Sequence, residues 1–203
     1  KAVSFIKDHS KEPFFLYFAH TFPHIPLYTN ARFEGTSKRG LYGDVVEEID
    51  WSVGEVLKAL RENGLDENTF VIFTSDNGPH HEGGADPDFF KSYGPFRGIK
   101  RDVYEGGIRI PMVAWCPGTI KAGAQSDHIS AFWDVMPTLA ELTGTVLPEK
   151  TDGISFLPTL LSKKDQQASG KSRALLPPSP LRTVRESFPS YGSSNSIFLF
   201  VVR

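Results

Sequence analysis

Apolar and polar positions along this chain follow two rhythms, and the switch between them predicts an α/β protein. Residues 69–75 form an unbroken apolar, β-branched run, expected as a strand buried on both faces, as in a parallel sheet. Residues 13–19 form a second such run, aromatic and apolar. It leads into residues 20–27, where Pro23 and Pro26 stiffen the chain and oppose regular strand pairing. Between the two runs, Leu41, Val45, Ile49, Val53, Val56, Leu57 and Leu60 recur at three- and four-residue steps. That spacing predicts a helix over 40–63, with Asp44, Glu47, Glu48, Glu55, Lys58 and Arg61 on its polar side and Gly64 ending it. Strand, helix and strand with short links is the grammar of a covered sheet.

Further along, the rhythm breaks and resumes. Residues 1–9 fit the end of a helix, and 78–107 form a long loop whose aromatic content argues for order. Residues 108–115 are expected as a strand closed by Cys116, Pro117 and Gly118, followed by a helix over 133–142 with Asp134 near its start and Gly144 past its end. Residues 152–161 predict a turn and a short helix. After Lys163 the composition turns to Ser, Pro, Arg and Gly without a period, which predicts a disordered tail and a division into 1–163 and 164–203. Residues 197–202 end the chain as an isolated apolar run, an aggregation hazard if exposed.

Composition narrows the classes. With 203 residues, 39% hydrophobic content and 16 Phe, the chain can build a sizeable core. A formal net charge of -2 gives no electrostatic reason to expect nucleic acid or an anionic membrane as partner. A single cysteine rules out an internal disulfide framework, and Cys116, set between Trp115 and Pro117, is given no redox role. No apolar run approaches the roughly 20 residues of a membrane-spanning helix. The chain opens with Lys1 and no signal-peptide pattern, which reads as an internal start within a longer protein.

Candidate chemistry gathers at the loops. Asp76 and Asn77 follow the 69–75 run directly, at the strand end where open α/β sheets bind ligands. They offer one anionic and one neutral oxygen, the donors a hard cation prefers, and Gly78 permits a sharp turn behind them. An ordinary Asp-Asn-Gly turn is the other reading of that tripeptide. His24 lies between two prolines, Lys100 lies in the long loop, and His80 with His81 follows the Asp-Asn pair. His20, His128 and Asp50 are read as structural, Arg97 as a brace, and Glu105 with Arg109 as fixing the turn before the 108–115 strand.

Four segments stand in order: Pro23-His24-Ile25-Pro26-Leu27, Ser75-Asp76-Asn77-Gly78, Arg97-Gly98-Ile99-Lys100 and Tyr104-Glu105-Gly106-Gly107-Ile108-Arg109-Ile110-Pro111. Together with Asp134-Val135-Met136-Pro137-Thr138-Leu139 and Asp152-Gly153 they resemble the sulfatase family, arylsulfatase-type ester hydrolases of the alkaline-phosphatase-like superfamily, over residues 14–161. The resemblance implies a partial alkaline-phosphatase-like mixed sheet flanked by helices. It implies that Asp76 and Asn77 ligate calcium, or magnesium, and that Asp76 also helps activate the nucleophile. Lys100 would hold a sulfate oxygen, and His24 would contact the sulfate and protonate the departing alcohol. His81 is placed among the substrate contacts. The implied substrate is a sulfated small molecule or carbohydrate, and the implied setting is periplasmic, secreted or lysosomal.

The same resemblance exposes a gap. The family's nucleophile is a formylglycine made within Cys/Ser-x-Pro-x-Arg, expected upstream of the matched segments, and it is absent from this chain. Ser187-Phe188-Pro189-Ser190-Tyr191 has Tyr where Arg is required and stands at the wrong end. Asp76 and Asn77 alone cannot fill a calcium sphere of about six to eight oxygens. The expected reaction is hydrolysis of a sulfate monoester to alcohol and sulfate, with little activity from these residues alone. A phosphate or phosphonate monoesterase of the same superfamily and a non-catalytic remnant are the alternatives.

Overall fold

A computed structural model describes residues 1–147, 151–163, 166–168 and 196–203. Its chain divides into two units: residues 1–116 with the C-terminal strand, and a second whose described residues lie within 117–168. In the first unit, α1 (Ala2–Asp8) precedes β1 (Phe15–Pro23), α2 (Gly40–Glu62), β2 (Phe70–Ser75), α3 (Pro87–Phe90), α4 (Glu105–Ile108) and β3 (Met112–Trp115), and β4 (Ser196–Val202) ends the chain. The second unit holds α5 (Val135–Thr143) and α6 (Leu157–Leu160).

The four strands form one sheet in the order β1-β4-β2-β3. Every adjacent pair is antiparallel. β1 and β2 therefore run parallel to each other, as strand–helix–strand connection through α2 requires, but β4 lies between them. The apolar run at 197–202 is thus not isolated: backbone pairing to β1 on one side and β2 on the other places it inside the sheet. Nothing in a local apolar pattern distinguishes a lone run from an inner strand. Of the expected tail, residues 164–165 and 169–195 lie outside the described residues.

One cluster of the core lies on one face of the sheet. Val71 of β2 with Leu199 and Val201 of β4 pack against Ile6 of α1 and Val56, Ala59 and Leu60 of α2. Period-2 alternation in the strands and the three-to-four step in α2 put these groups on facing surfaces. Arg203 pins the chain end, its guanidinium donating to the carbonyls of Ser10 (2.6 Å) and Glu12 (2.9 Å). A smaller cluster of Phe22, Val45 and Ile49 ties the end of β1 to α2.

Three local expectations change. β1 runs on through His20 to Pro23, past the residues where proline was expected to stop it, and absorbs the disturbance as a register shift between His20 and Pro23. The strand expected over 108–115 begins only at Met112, because residues 105–108 close a helical turn first. Asp44, assigned to the polar side of α2, is buried and accepts from the Gly35 and Ser37 amides at 3.0 and 2.7 Å, tying the preceding loop to the helix.

In the second unit, buried Asp134 accepts from the amides of Ala131 (2.7 Å) and Ile154 (2.8 Å). Thr138 donates to the Asp134 carbonyl and accepts from the Phe156 amide. A side chain on Gly153 would meet the Trp133 carbonyl at 2.0 Å. These two sequence segments therefore stitch 131–138 to 153–156.

Candidate active site

The site sits at the end of β2, where two loops close against the residues that follow the strand. Gly78 donates its amide to the Gly107 carbonyl at 2.8 Å, Gly106 to the Arg97 carbonyl at 2.8 Å, and Lys100 to the Pro79 carbonyl at 2.7 Å. The approach is too close for side chains. A Cβ on Gly78 would lie 1.9 Å from the Gly106 carbonyl oxygen, and one on Gly106 would lie 2.1 Å from that of Gly98. The loop is braced outside by the Arg97 guanidinium 3.9 Å over the Tyr104 ring and by Arg109, whose Nε donates to Glu105 at 2.7 Å.

This interlock carries Lys100 into the protein, where it is 7% exposed. Burial pushes the Lys100 pKa down and Arg101 adds to that, while Asp76 and Glu82 pull it back up. Asp76 also faces β1: burial first, and then the Asp76 charge, raise the Tyr17 pKa. Asp76 and Asn77 are half-buried, side by side.

His24 arrives from the other direction. The chain leaving β1 turns, with the His24 amide donating to the Thr21 carbonyl at 3.2 Å. It packs on the loop after Gly78, since a Cβ on Gly83 would touch Ile25 at 2.2 Å. The His24 ring stands 6.5 Å from that of His80, centroid to centroid. His80 is 3% exposed, and neither ring nitrogen makes a hydrogen bond. Burial pushes its pKa down, Lys100 and His24 add to that, and the Pro23 carbonyl and Glu82 oppose it. Glu82 is itself held by Arg101 at 2.7 Å, which lowers its pKa.

His24, Asp76, Asn77 and Lys100 therefore border one region, and His80 joins them. His81, the neighbour chosen from sequence, is exposed. Two consecutive loop histidines carry no pattern that says which turns inward. Only the packing of residues 79–84 on the His24 loop decides it.

Donor chemistry suits a hard cation at Asp76 and Asn77, one charged and one neutral oxygen. Among the described residues, no group of three or more His, Cys, Asp or Glu side chains could hold a metal ion. These two residues fit as part of such a sphere. No helix among the described residues is long and apolar enough to cross a membrane.

A family model described as Sulfatase matches residues 1–145. The chain belongs to the sulfatase family. This sulfatase chain is 43% identical over 170 residues to N-acetylgalactosamine-6-sulfatase of Mus musculus, covering 79% of the chain and 31% of that relative. It is 38% identical over 170 residues to Steryl-sulfatase of Homo sapiens, covering 82% and 29%. The chain thus spans about a third of the length of the curated relatives it matches. Among solved structures it resembles a sulfatase of Bacteroides thetaiotaomicron from a locus for metabolism of multiple glycosaminoglycans, with TM-score 0.69 and 39% identity over 80% of this chain and 35% of that one. It also resembles Ps i-CgsB, solved in complex with k-i-k-neocarrahexaose, with TM-score 0.70 and 32% identity over 79% and 37%. These sulfatases of alkaline-phosphatase-like fold agree with the expected α/β class.

Proposed function

We propose that these residues form the charge-binding edge of a sulfuric ester hydrolase that converts a sulfate monoester and water to an alcohol and sulfate. What carries the reading is the convergence of His24, Asp76 and Lys100, from three separate stretches of sequence, around the end of β2. Lys100 places a compact positive charge in a mostly buried site, where it stabilises negative charge on the sulfuryl oxygens far better than in water. His24, half-buried and beside the site, is the group that gives a proton to the departing alcohol oxygen as its bond to sulfur breaks. Asp76 and Asn77 would hold calcium, or magnesium, and Asp76 would serve as a base toward the nucleophile. A cation there would supply Lewis-acid polarisation of a sulfate oxygen.

The 203 residues contain no Cys/Ser-x-Pro-x-Arg sequence, so the proposed site is completed by a formylglycine and further metal ligands that this chain does not hold. Relatives named for a sulfated amino sugar and for a steryl ester support a sulfated carbohydrate or small molecule as substrate. The decisive assay compares an aryl sulfate with the matching aryl phosphate, using the polypeptide in which this sequence is joined to its Cys-x-Pro-x-Arg segment. Sulfate is the expected substrate, and Lys100→Met is expected to lower its kcat/KM by about 100- to 1,000-fold. Preferred hydrolysis of the phosphate would replace this reading with a phosphomonoesterase. Efficient sulfate turnover by the 203 residues alone would refute the need for outside groups.

A further inference from the structure

The proposed reaction uses His24, Lys100 and Asp76 and leaves His80 without a task. Burying an imidazole with no hydrogen bond at either nitrogen costs free energy, and both nitrogens of His80 are in that state. A purely apolar side chain would fill the same space without this cost. The ring is 3% exposed and faces His24 across 6.5 Å, with Lys100 close enough to affect its charge. Burial opposes a charge on the ring, and Lys100 and His24 add to that, so the ring is held neutral. A neutral imidazole has one N–H and one lone pair. Whichever nitrogen carries the N–H, the other can only accept.

That chemistry differs from its neighbours. Lys100 has donors and no acceptor, so it matches sulfate oxygens, which only accept. An acceptor beside such a group matches the other part of the ester, where hydroxyls donate. We propose that His80 is a specificity-determining residue that accepts a hydrogen bond from a hydroxyl on the alcohol moiety, next to the sulfate held by His24 and Lys100, so that the site selects sulfate esters of polyhydroxylated alcohols. The inference rests on the sulfatase reading and adds to it the substrate class and the residue that reads it. A buried group left unpaired by a ligand lacking the hydroxyl penalises that ligand.

The test is binding, which needs no nucleophile. The polypeptide in which this sequence is joined to its Cys-x-Pro-x-Arg segment, with that cysteine replaced by alanine, is titrated by calorimetry with a pyranose sulfate carrying a free hydroxyl vicinal to the ester, and with its deoxy counterpart. The wild-type chain is expected to bind the hydroxylated ester about tenfold tighter. His80→Phe, similar in size and without a ring nitrogen, is expected to bring the ratio of the two affinities close to one. His80→Gln restores an acceptor and is expected to recover part of the preference, which a packing role would not predict. A wild-type ratio within twofold, or a full preference retained by His80→Phe, overturns the assignment of His80 and leaves the sulfatase reading standing. Failure of either ester or of inorganic sulfate to bind the wild-type chain overturns the sulfatase reading, and this inference with it.

Discussion

Lys100 shows how a single residue is placed against its own stability. Burial and the neighbouring Arg101 disfavour its charge, and Asp76 with Glu82 only partly offset them. At a residue of the proposed site such a cost is one that proteins tolerate. Lys100→Met, which keeps the stem and removes the charge, is therefore expected to raise stability by about 0.5–2 kcal/mol in urea unfolding while it lowers turnover. His20 makes the opposite case, a histidine with a structural task. Its Nδ1 accepts from the Phe22 amide at 3.1 Å, and burial lowers its pKa from the ordinary 6.5 against a smaller opposing pull from Glu48. Between its folded and unfolded pKa values the unfolded chain binds a proton that the folded chain refuses, so stability falls as pH drops below about 6.5. Above that pH both states are neutral and the contribution is flat. His80 shifts in the same direction. Urea midpoints at pH 7.5 and 5.5 should differ less for His20→Asn, which keeps a short-range oxygen acceptor, and an unchanged difference would remove His20 from the account.

Among the elements, the loop interlock explains why the most legible parts of the sequence were glycine motifs. Gly78, Gly106 and Gly107 each bring backbone against backbone: a Cβ on Gly107 would lie 2.3 Å from the Asp102 carbonyl oxygen and 2.5 Å from that of Ile99. Neither partner in such a contact is a flexible side-chain tip that could move aside. Gly106→Ala is accordingly expected to cost about 3 kcal/mol, the upper end of overpacking, and to loosen Lys100. Amide hydrogen exchange at Lys100 and Gly78 should accelerate well beyond that at α2, and equal protection at all three would refute the interlock. The long amphipathic α2 was readable from periodicity over its whole length, and the burial of Asp44 near its start was not. There Asp44 is buried because loop amides need it, a demand no helical pattern announces. The choice of His80 over His81 failed to show for the same reason, since it depends on Ile25 meeting Gly83 from a distant stretch of chain.

Across the whole first unit, the least legible feature is also the most consequential. β1 and β2 run parallel but do not pair with each other, and the sheet closes only because β4 supplies hydrogen bonds to both. Without it, the inner edges of two strands would be left with unpaired backbone groups, which is costly away from water. Val201 is the side chain that measures this best. It is 0% exposed and belongs to the core cluster with Ile6, Leu60 and Val71. Val201→Ala is expected to cost about 2 kcal/mol through a small cavity. Val201→Asp would bury a carboxylate with no partner, at more than about 4 kcal/mol, and is expected to abolish the cooperative denaturant transition followed by circular dichroism. Because His24 leaves β1 and Asp76 leaves β2, both substitutions should also weaken sulfate binding in proportion to the unfolded fraction. A Val201→Asp chain that unfolds at the wild-type midpoint would mean that β4 does not hold the two strands together, and that the register bringing His24 toward Asp76 has another source.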